Sequence, residues 1–265
     1  MTSTGLLLKD KIILLFFSIL PVSFIIGSAV LQLNIIIIIL FFLKELLRDR
    51  KYFIELKKDK FFLSLILLWI YLIINALFGI NYEISLIRSI FFFRYIILIF
   101  ALVYFFRNKQ IRDQVINFWT LILLIVSFDI FFEFLFGKNI LGFESPMKNE
   151  RIVSFFKDEL IVGSFLASFL FIIFGKFYYE NKVILSLFLF AIFSACIFIT
   201  GERSVSIKII VSMILIILFI VENPKLKIYT TIFSILVVYL IFSTSNLNIR
   251  YLSFYSHLEK NFKKE

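Results

Sequence analysis

The sequence predicts an all-α integral membrane protein, a polytopic bundle of about nine transmembrane helices with little soluble mass. Three observations predict it. Hydrophobic residues fill 62% of the 265 positions and mean hydropathy is +1.03, against roughly 45–50% apolar residues in soluble domains. The apolar residues lie in unbroken runs such as 35–42, not in the in/out alternation of an outer-membrane barrel, which leaves helices as the way to satisfy the backbone in lipid. The Lys and Arg residues behind the net charge of +10 gather between the runs. Anionic headgroups and the positive-inside bias account for them there, so the charge is not a nucleic-acid signal.

In chain order the runs cover residues 12–28, 29–43, 61–79, 90–106, 115–135, 160–175, 183–200, 207–221 and 228–242. The first contains Pro21, begins near Lys11 and lacks a small-residue cleavage site, so it reads as a span and not as a removable signal. Only a tight turn near 27–32 separates it from the second, and one long helix or a re-entrant hairpin fits this stretch as well. The segment after the second run, 44–60, holds the densest positive cluster: Lys44, Arg48, Arg50, Lys51, Lys57, Lys58 and Lys60. It is expected on the cytoplasmic side. Alternation then places 107–112, 176–182 and 222–227 inside too, each with at least two basic residues, together with the N-terminus bearing Lys9 and Lys11. Segments 80–88, 137–159, 201–204 and the tail from 243 fall outside. Residues 1–242 thus form one multi-pass helical domain whose outer loop, 137–159, is the candidate substrate site. Residues 243–265 begin an extracytoplasmic loop or tail.

No GxGxxG, P-loop, HExxH, CxxC pair or DxD-type motif occurs, which argues against an ATP-driven pump or a metal-dependent cytosolic glycosyltransferase. The single cysteine, Cys196, lies in an apolar run and has no partner for an intramolecular disulfide.

Polar groups at membrane depth cost roughly 2.5–3.5 kcal/mol each on insertion scales and call for a reason. Arg94, after three phenylalanines in the fourth run, sits about one to one and a half turns from the outer end of that run by this reading; it either snorkels to headgroups or faces an anionic lipid substrate. Asp129 and Glu133, four apart, share one face of the fifth helix. They pair with Arg94 or Arg88, line a polar cavity, or form a proton or cation relay. Arg151 and Lys157 lie in a loop segment that mixes charge with aromatics and suits an interfacial anchor. Arg203 follows Glu202 at the outer end of the seventh run, where a salt bridge between them is one reading. Parity puts Arg151 and Arg203 on one face of the membrane, and two guanidinium groups there can clamp a diphosphate. His257, the only histidine, is on the outer tail, as a solvated residue or a general base.

The stretch from Asp129 to Phe143, the segment with Arg151, Ser154, Phe155, Phe156, Asp158, Glu159, Leu160, Gly163 and Ser164, and the run from Thr200 to Ser204 together resemble the bacterial O-antigen ligase and O-antigen polymerase family. The similarity covers residues 60–257 or so. It implies a GT-C-like, metal-independent glycosyltransferase of the bacterial inner membrane, needing no cofactor and working on the periplasmic face. Its donor would be an undecaprenyl-pyrophosphate-linked glycan; its acceptor, lipid A–core in a ligase or another lipid-linked repeat unit in a polymerase. Membrane lipids would be its surroundings and nucleic acid no partner. Carried over by motif and side, Arg151 and Arg203 match the family's pyrophosphate-binding arginines. His257 matches the catalytic base only by order and side, and Arg94 and Lys157 complete the cationic set expected at the substrate. Family members have more helices and a long periplasmic loop near where this chain ends, so by this resemblance the sequence is either C-terminally truncated or a shortened homologue. Two other classes fit the residues: a transporter or flippase of a lipid-linked or anionic solute, and a non-catalytic scaffold subunit.

Overall fold

A computed structural model describes residues 8–145, 151–157 and 159–221, together with Pro224, Lys227, Ile228, Thr231, Ile232, Ile235 and Tyr239. Apart from short connections these residues are helical, and no strand occurs among them. The helices are α1 (Leu8–Ile26), α2 (Ser28–Arg48), α3 (Arg50–Lys58), α4 (Lys60–Leu77), α5 (Tyr82–Phe105), α6 (Lys109–Phe136), α7 (Val162–Tyr179), α8 (Val183–Ile199) and α9 (Arg203–Leu215), the last continuing as a π-helical turn, Ile216–Ile220. Among the described residues, α2, α4, α5, α6 and α7 are long and apolar enough to cross a membrane; α8 is an apolar helix of 17 residues. The last apolar run is described only at isolated positions, and the tail with His257 lies outside the described residues.

Several helices run past the apolar residues that announce them. Helix α5 begins at Tyr82, not near 90, and α6 at Lys109, not near 115. Lys, Arg, Glu and Gln are good helix formers, so a span continues helically through its charged flank into the interface. The basic segment 44–60 is likewise mostly helix. Asp49 caps α3 by accepting from Tyr52 N–H at 3.0 Å, and Asp59 caps α4 by accepting from Phe61 N–H at 2.7 Å and Phe62 N–H at 3.2 Å.

The described chain divides into two compact units, residues 1–115 and the remainder from Ile116. In the first, α1 and α2 are separate helices broken at Gly27, whose φ of 140° suits glycine. They fold back as a hairpin. Asn34 Nδ2 reaches Ser23 Oγ at 3.0 Å and Phe16 O at 3.1 Å, and Lys9 Nζ pairs with Glu45 at 2.5 Å where the hairpin opens. Helices α4 and α5 form a second hairpin, held by Trp69 Nε1–H donating to Ser89 O at 2.9 Å and by the ring pairs Trp69–Phe93 and Phe62–Phe100. Helices α2 and α5 then pack through Leu31, Ile35 and Ile39 against Tyr95, Ile97 and Leu98. The outward faces stay apolar: Leu67 is 67% exposed and Phe78 84%. Such a surface suits a lipid environment.

In the second unit, α6 presents a stripe of fully buried side chains at helical spacing, Ile116, Trp119, Leu123, Val126 and Ile130. Trp119 packs edge-on against Phe169 of α7 with ring centroids 5.0 Å apart, and Asn117 accepts a hydrogen bond from the buried Lys176 ammonium. Helices α7 and α8 pair closely, with Ser186 Oγ donating to Phe174 O at 2.8 Å and the Phe174 and Phe190 rings in edge contact. Helix α9 packs on both α7 and α8.

Candidate functional site

The α6 stripe turns polar towards its C-terminal end. Asp129 is 0% exposed and Glu133 4%. Buried carboxylates need donors, and here the following loop supplies them from its backbone. Asp129 Oδ1 accepts from Ile140 N–H at 2.8 Å and Oδ2 from the Ser154 hydroxyl at 2.6 Å. Glu133 accepts from Ser154 N–H at 2.6 Å and Val153 N–H at 3.2 Å. Asn139, also buried, joins the two halves of the loop: its Nδ2 donates to Ser154 O at 2.7 Å and its Oδ1 accepts from Phe143 N–H at 2.8 Å.

Among the described residues of this unit, the hydrogen-bond partners of Asp129 and Glu133 are backbone amides and a serine hydroxyl. The spacing marks a shared face; what meets that face is a loop segment some twenty residues on, which periodicity does not reveal. Ser154 adopts φ 49° and Lys157 φ 55°, a left-handed conformation uncommon for residues with a Cβ. The Ser154 bonds to both carboxylates hold that strained turn in place. It carries a short 3-10 turn, Ser154–Phe156, whose Phe156 ring packs on Phe165 in the first turns of α7 at 5.1 Å.

A third buried carboxylate serves the N-terminus of α7. Glu202, 8% exposed, accepts from Gly163 N–H at 2.6 Å, Ser164 N–H at 3.1 Å and Ser164 Oγ at 2.7 Å. An anion at a helix N-terminus satisfies otherwise orphaned N–H groups and complements the helix dipole. The salt bridge expected between Glu202 and Arg203 is thus not the use to which the described bonds put that carboxylate. A Cβ on Gly163 would stand 2.8 Å from Thr200 Oγ1 and 3.1 Å from Glu202 Cδ, so the close approach requires glycine.

These contacts form an unbroken chain at one end of the second unit. Arg151 precedes Val153 and Ser154 on Glu133; Phe156 rests on α7; α7 is bound by Glu202; and Arg203 is the next residue, first in α9. Arg151 and Arg203 are therefore carried by segments fastened to the same end of the unit. The Arg151 guanidinium forms no hydrogen bond or ion pair with a described residue, and its Nε is buried. Lys157 is exposed, with Nζ 5.8 Å from the Phe143 ring centroid.

Arg94 belongs to the first unit. Helix α5 starts at Tyr82, so its charged flank with Glu83 and Arg88 precedes the apolar residues around Arg94. The Arg94 Nη2 donates to the Tyr95 hydroxyl at 3.0 Å. His257 lies outside the described residues. Ser154 and Gly163 enter the sequence reading only as residues that carry the resemblance, and Asn139 only within the stretch from Asp129 to Phe143; none of the three is given a role there. Comparison with protein-family models, curated proteins and solved structures finds no match.

Proposed function

We propose that this chain is a membrane glycosyltransferase of the O-antigen ligase or polymerase kind, with about nine spans in a GT-C-like bundle. It would act on the periplasmic face of the bacterial inner membrane on an undecaprenyl-pyrophosphate-linked glycan. Arg151 and Arg203 bind the pyrophosphate and Lys157 adds positive charge at the loop surface. The acceptor hydroxyl, on lipid A–core or another lipid-linked repeat unit, attacks the anomeric carbon. The bond to the pyrophosphate oxygen breaks, undecaprenyl pyrophosphate leaves with the electron pair, and the hydroxyl proton passes to His257 acting as base. Cations already aimed at the leaving group favour this step because negative charge develops there, and arginines supply them without a metal.

One observation carries the reading. Arg151 has an unspent guanidinium on a strained turn clamped by two buried carboxylates, at the end of the unit that also bears Arg203. A loop anchored this firmly is suited to present a cation to a ligand, because little ordering is left to do on binding. The test is to express Arg151→Ala and Arg203→Ala separately in a host that depends on this chain for surface glycan, following membrane level and glycan ladder together. The expected result is normal membrane level with long-chain glycan lost in both; wild-type ladders in both would overturn the reading. Loss of all polymer on lipid A would indicate a ligase, and a single repeat unit a polymerase. A transporter or flippase of a lipid-linked or anionic solute is a second reading, favoured by Arg94 as a cation within an apolar helical stretch.

A further inference from the structure

Helix α3 joins two spans, α2 and α4, and carries cations that its neighbouring acids do not pair. Segment 44–60 holds seven Lys and Arg residues, all exposed, and four carboxylates. Three of the carboxylates are engaged elsewhere: Glu45 is buried on Lys9, and Asp49 and Asp59 cap α3 and α4. Glu55 remains, and among the described residues none of the seven cations stands at salt-bridge distance from a carboxylate. Tyr52 and Leu56 form the buried stripe of α3. The Tyr52 ring lies 4.8 Å from that of Tyr104 and 6.4 Å from that of Phe42, and the Arg107 guanidinium covers it at 4.5 Å. Phe42 stands about 9 Å of helix before the end of α2 at Arg48. The chain therefore doubles back, and α3 runs beside the end of α2 with its other face turned sideways.

That outward face is ordered. Ile54, 55% exposed, lies opposite the buried stripe. Arg50 and Lys57 flank it on one side, Lys51 and Lys58 on the other. Members of each pair are seven residues apart, which is about 20° around the helix and about 10 Å along it. Phe53 is exposed as well, with Lys57 Nζ 4.4 Å from its ring centroid. The face thus presents two cations at each end and apolar side chains between them.

A soluble anion would meet the cations and leave Ile54 and Phe53 in water; an apolar surface would do the reverse. A headgroup layer supplies both environments at once, and α3 is tethered in it by the spans on either side. We propose that the outward face of α3 is a binding site for anionic phospholipid headgroups, taking two phosphates together, one at Arg50 and Lys51 and one at Lys57 and Lys58, with Ile54 and Phe53 against the acyl boundary. A positive-inside bias acts through the charge of the whole segment. This site depends instead on which four cations share one face of a nine-residue helix.

The test is native mass spectrometry of the purified full chain in detergent, with cardiolipin, phosphatidylglycerol or phosphatidylethanolamine added. The first carries two phosphates in one molecule, the second a single anionic phosphate, and the third a phosphate neutralised by its own ammonium. Three double variants are compared with the wild type: Arg50→Gln with Lys57→Gln, Lys51→Gln with Lys58→Gln, and Lys11→Gln with Lys109→Gln. The last removes the same charge from exposed cations of the same unit outside α3. The expected order of retention is cardiolipin, phosphatidylglycerol, phosphatidylethanolamine. Cardiolipin retention is expected to weaken on the order of tenfold or more in each α3 variant and much less in the third. Every substituted side chain is exposed, and a single size-exclusion peak checks that each variant folds. Equal retention of the three lipids by the wild type overturns the site and leaves the face to an acidic segment of another protein. Cardiolipin held no better than phosphatidylglycerol, or unchanged retention in the α3 variants, also overturns it. So does an equal loss in the third variant, because the attraction would then be diffuse charge. None of these residues belongs to the Arg151 and Arg203 reading, which the glycan ladder tests separately.

Discussion

Glu202 holds the backbone N–H of Gly163 at 2.6 Å across 39 residues of sequence. The contact fixes where α9 begins relative to the start of α7, and so where Arg203 stands relative to the clamped loop. It depends on the absence of a side chain at 163, because a Cβ would run into Thr200 and Glu202. Gly163→Ala is expected to destabilise the protein by about 1–3 kcal/mol, the usual cost of forcing atoms into a packed site. Fluorescence-detected size-exclusion chromatography after a heating series would register this as a lower melting midpoint.

Replacing the carboxylate separates charge from shape. Glu202→Gln keeps one acceptor oxygen but loses the charge-assisted bonds, and a loss of about 1–2 kcal/mol is expected; Glu202→Ala leaves the Gly163 and Ser164 donors unmet and should cost more, about 2–3 kcal/mol. The order wild type, Gln, Ala in thermal midpoint checks the assignment. Equal midpoints for Gln and Ala would show that the carboxylate is not bonding the helix start.

The clamp on the Arg151 loop has its own signature. In Glu133→Ala the Val153 and Ser154 amides lose their acceptor, and the left-handed turn at Ser154 loses its support. Limited trypsin digestion is expected to cut at Arg151 and Lys157 several-fold faster than in wild type, at unchanged rates elsewhere. Ser154→Ala removes only the hydroxyl bond to Asp129 and should give a smaller increase.

If Arg203 binds a diphosphate, its value lies in a planar fork and not in charge alone. Arg203→Lys is therefore expected to be almost as defective as Arg203→Ala in the glycan ladder. A lysine variant with a wild-type ladder would reduce the role of Arg203 to that of a point charge.

Orientation is open to direct measurement. The proposal needs Lys157 on the periplasmic side and Lys51 on the cytoplasmic side. With the buried Cys196 as an unreactive background, Lys157→Cys is expected to label with an impermeant maleimide in intact cells, and Lys51→Cys only after lysis. The opposite pattern would remove the periplasmic site.

Hydropathy was enough to find the apolar helices, though not the charged α3. The runs around Ile35, Leu67, Phe100, Leu123, Phe169 and Phe193 each lie within a helix, because a long uncharged stretch in lipid has one way to satisfy its backbone. The lengths of those helices were less legible. Apolar content marks where hydrocarbon begins, whereas a helix stops where its capping groups allow, as at Asp49 and Asp59. This is why α5 starts at Tyr82, ahead of the apolar run that announces it.

By itself, then, the sequence determined a multi-helix membrane chain, its principal helical segments, and the list of polar residues that need partners at depth. Tertiary structure alone decided who those partners are. Asp129 and Glu133 share a face through local helical periodicity, but their bonds to Ile140, Val153 and Ser154, like that of Glu202 to Gly163, depend on how a loop and a later helix return to that face. Such returns are set by packing summed over the whole unit, and no window of sequence contains it.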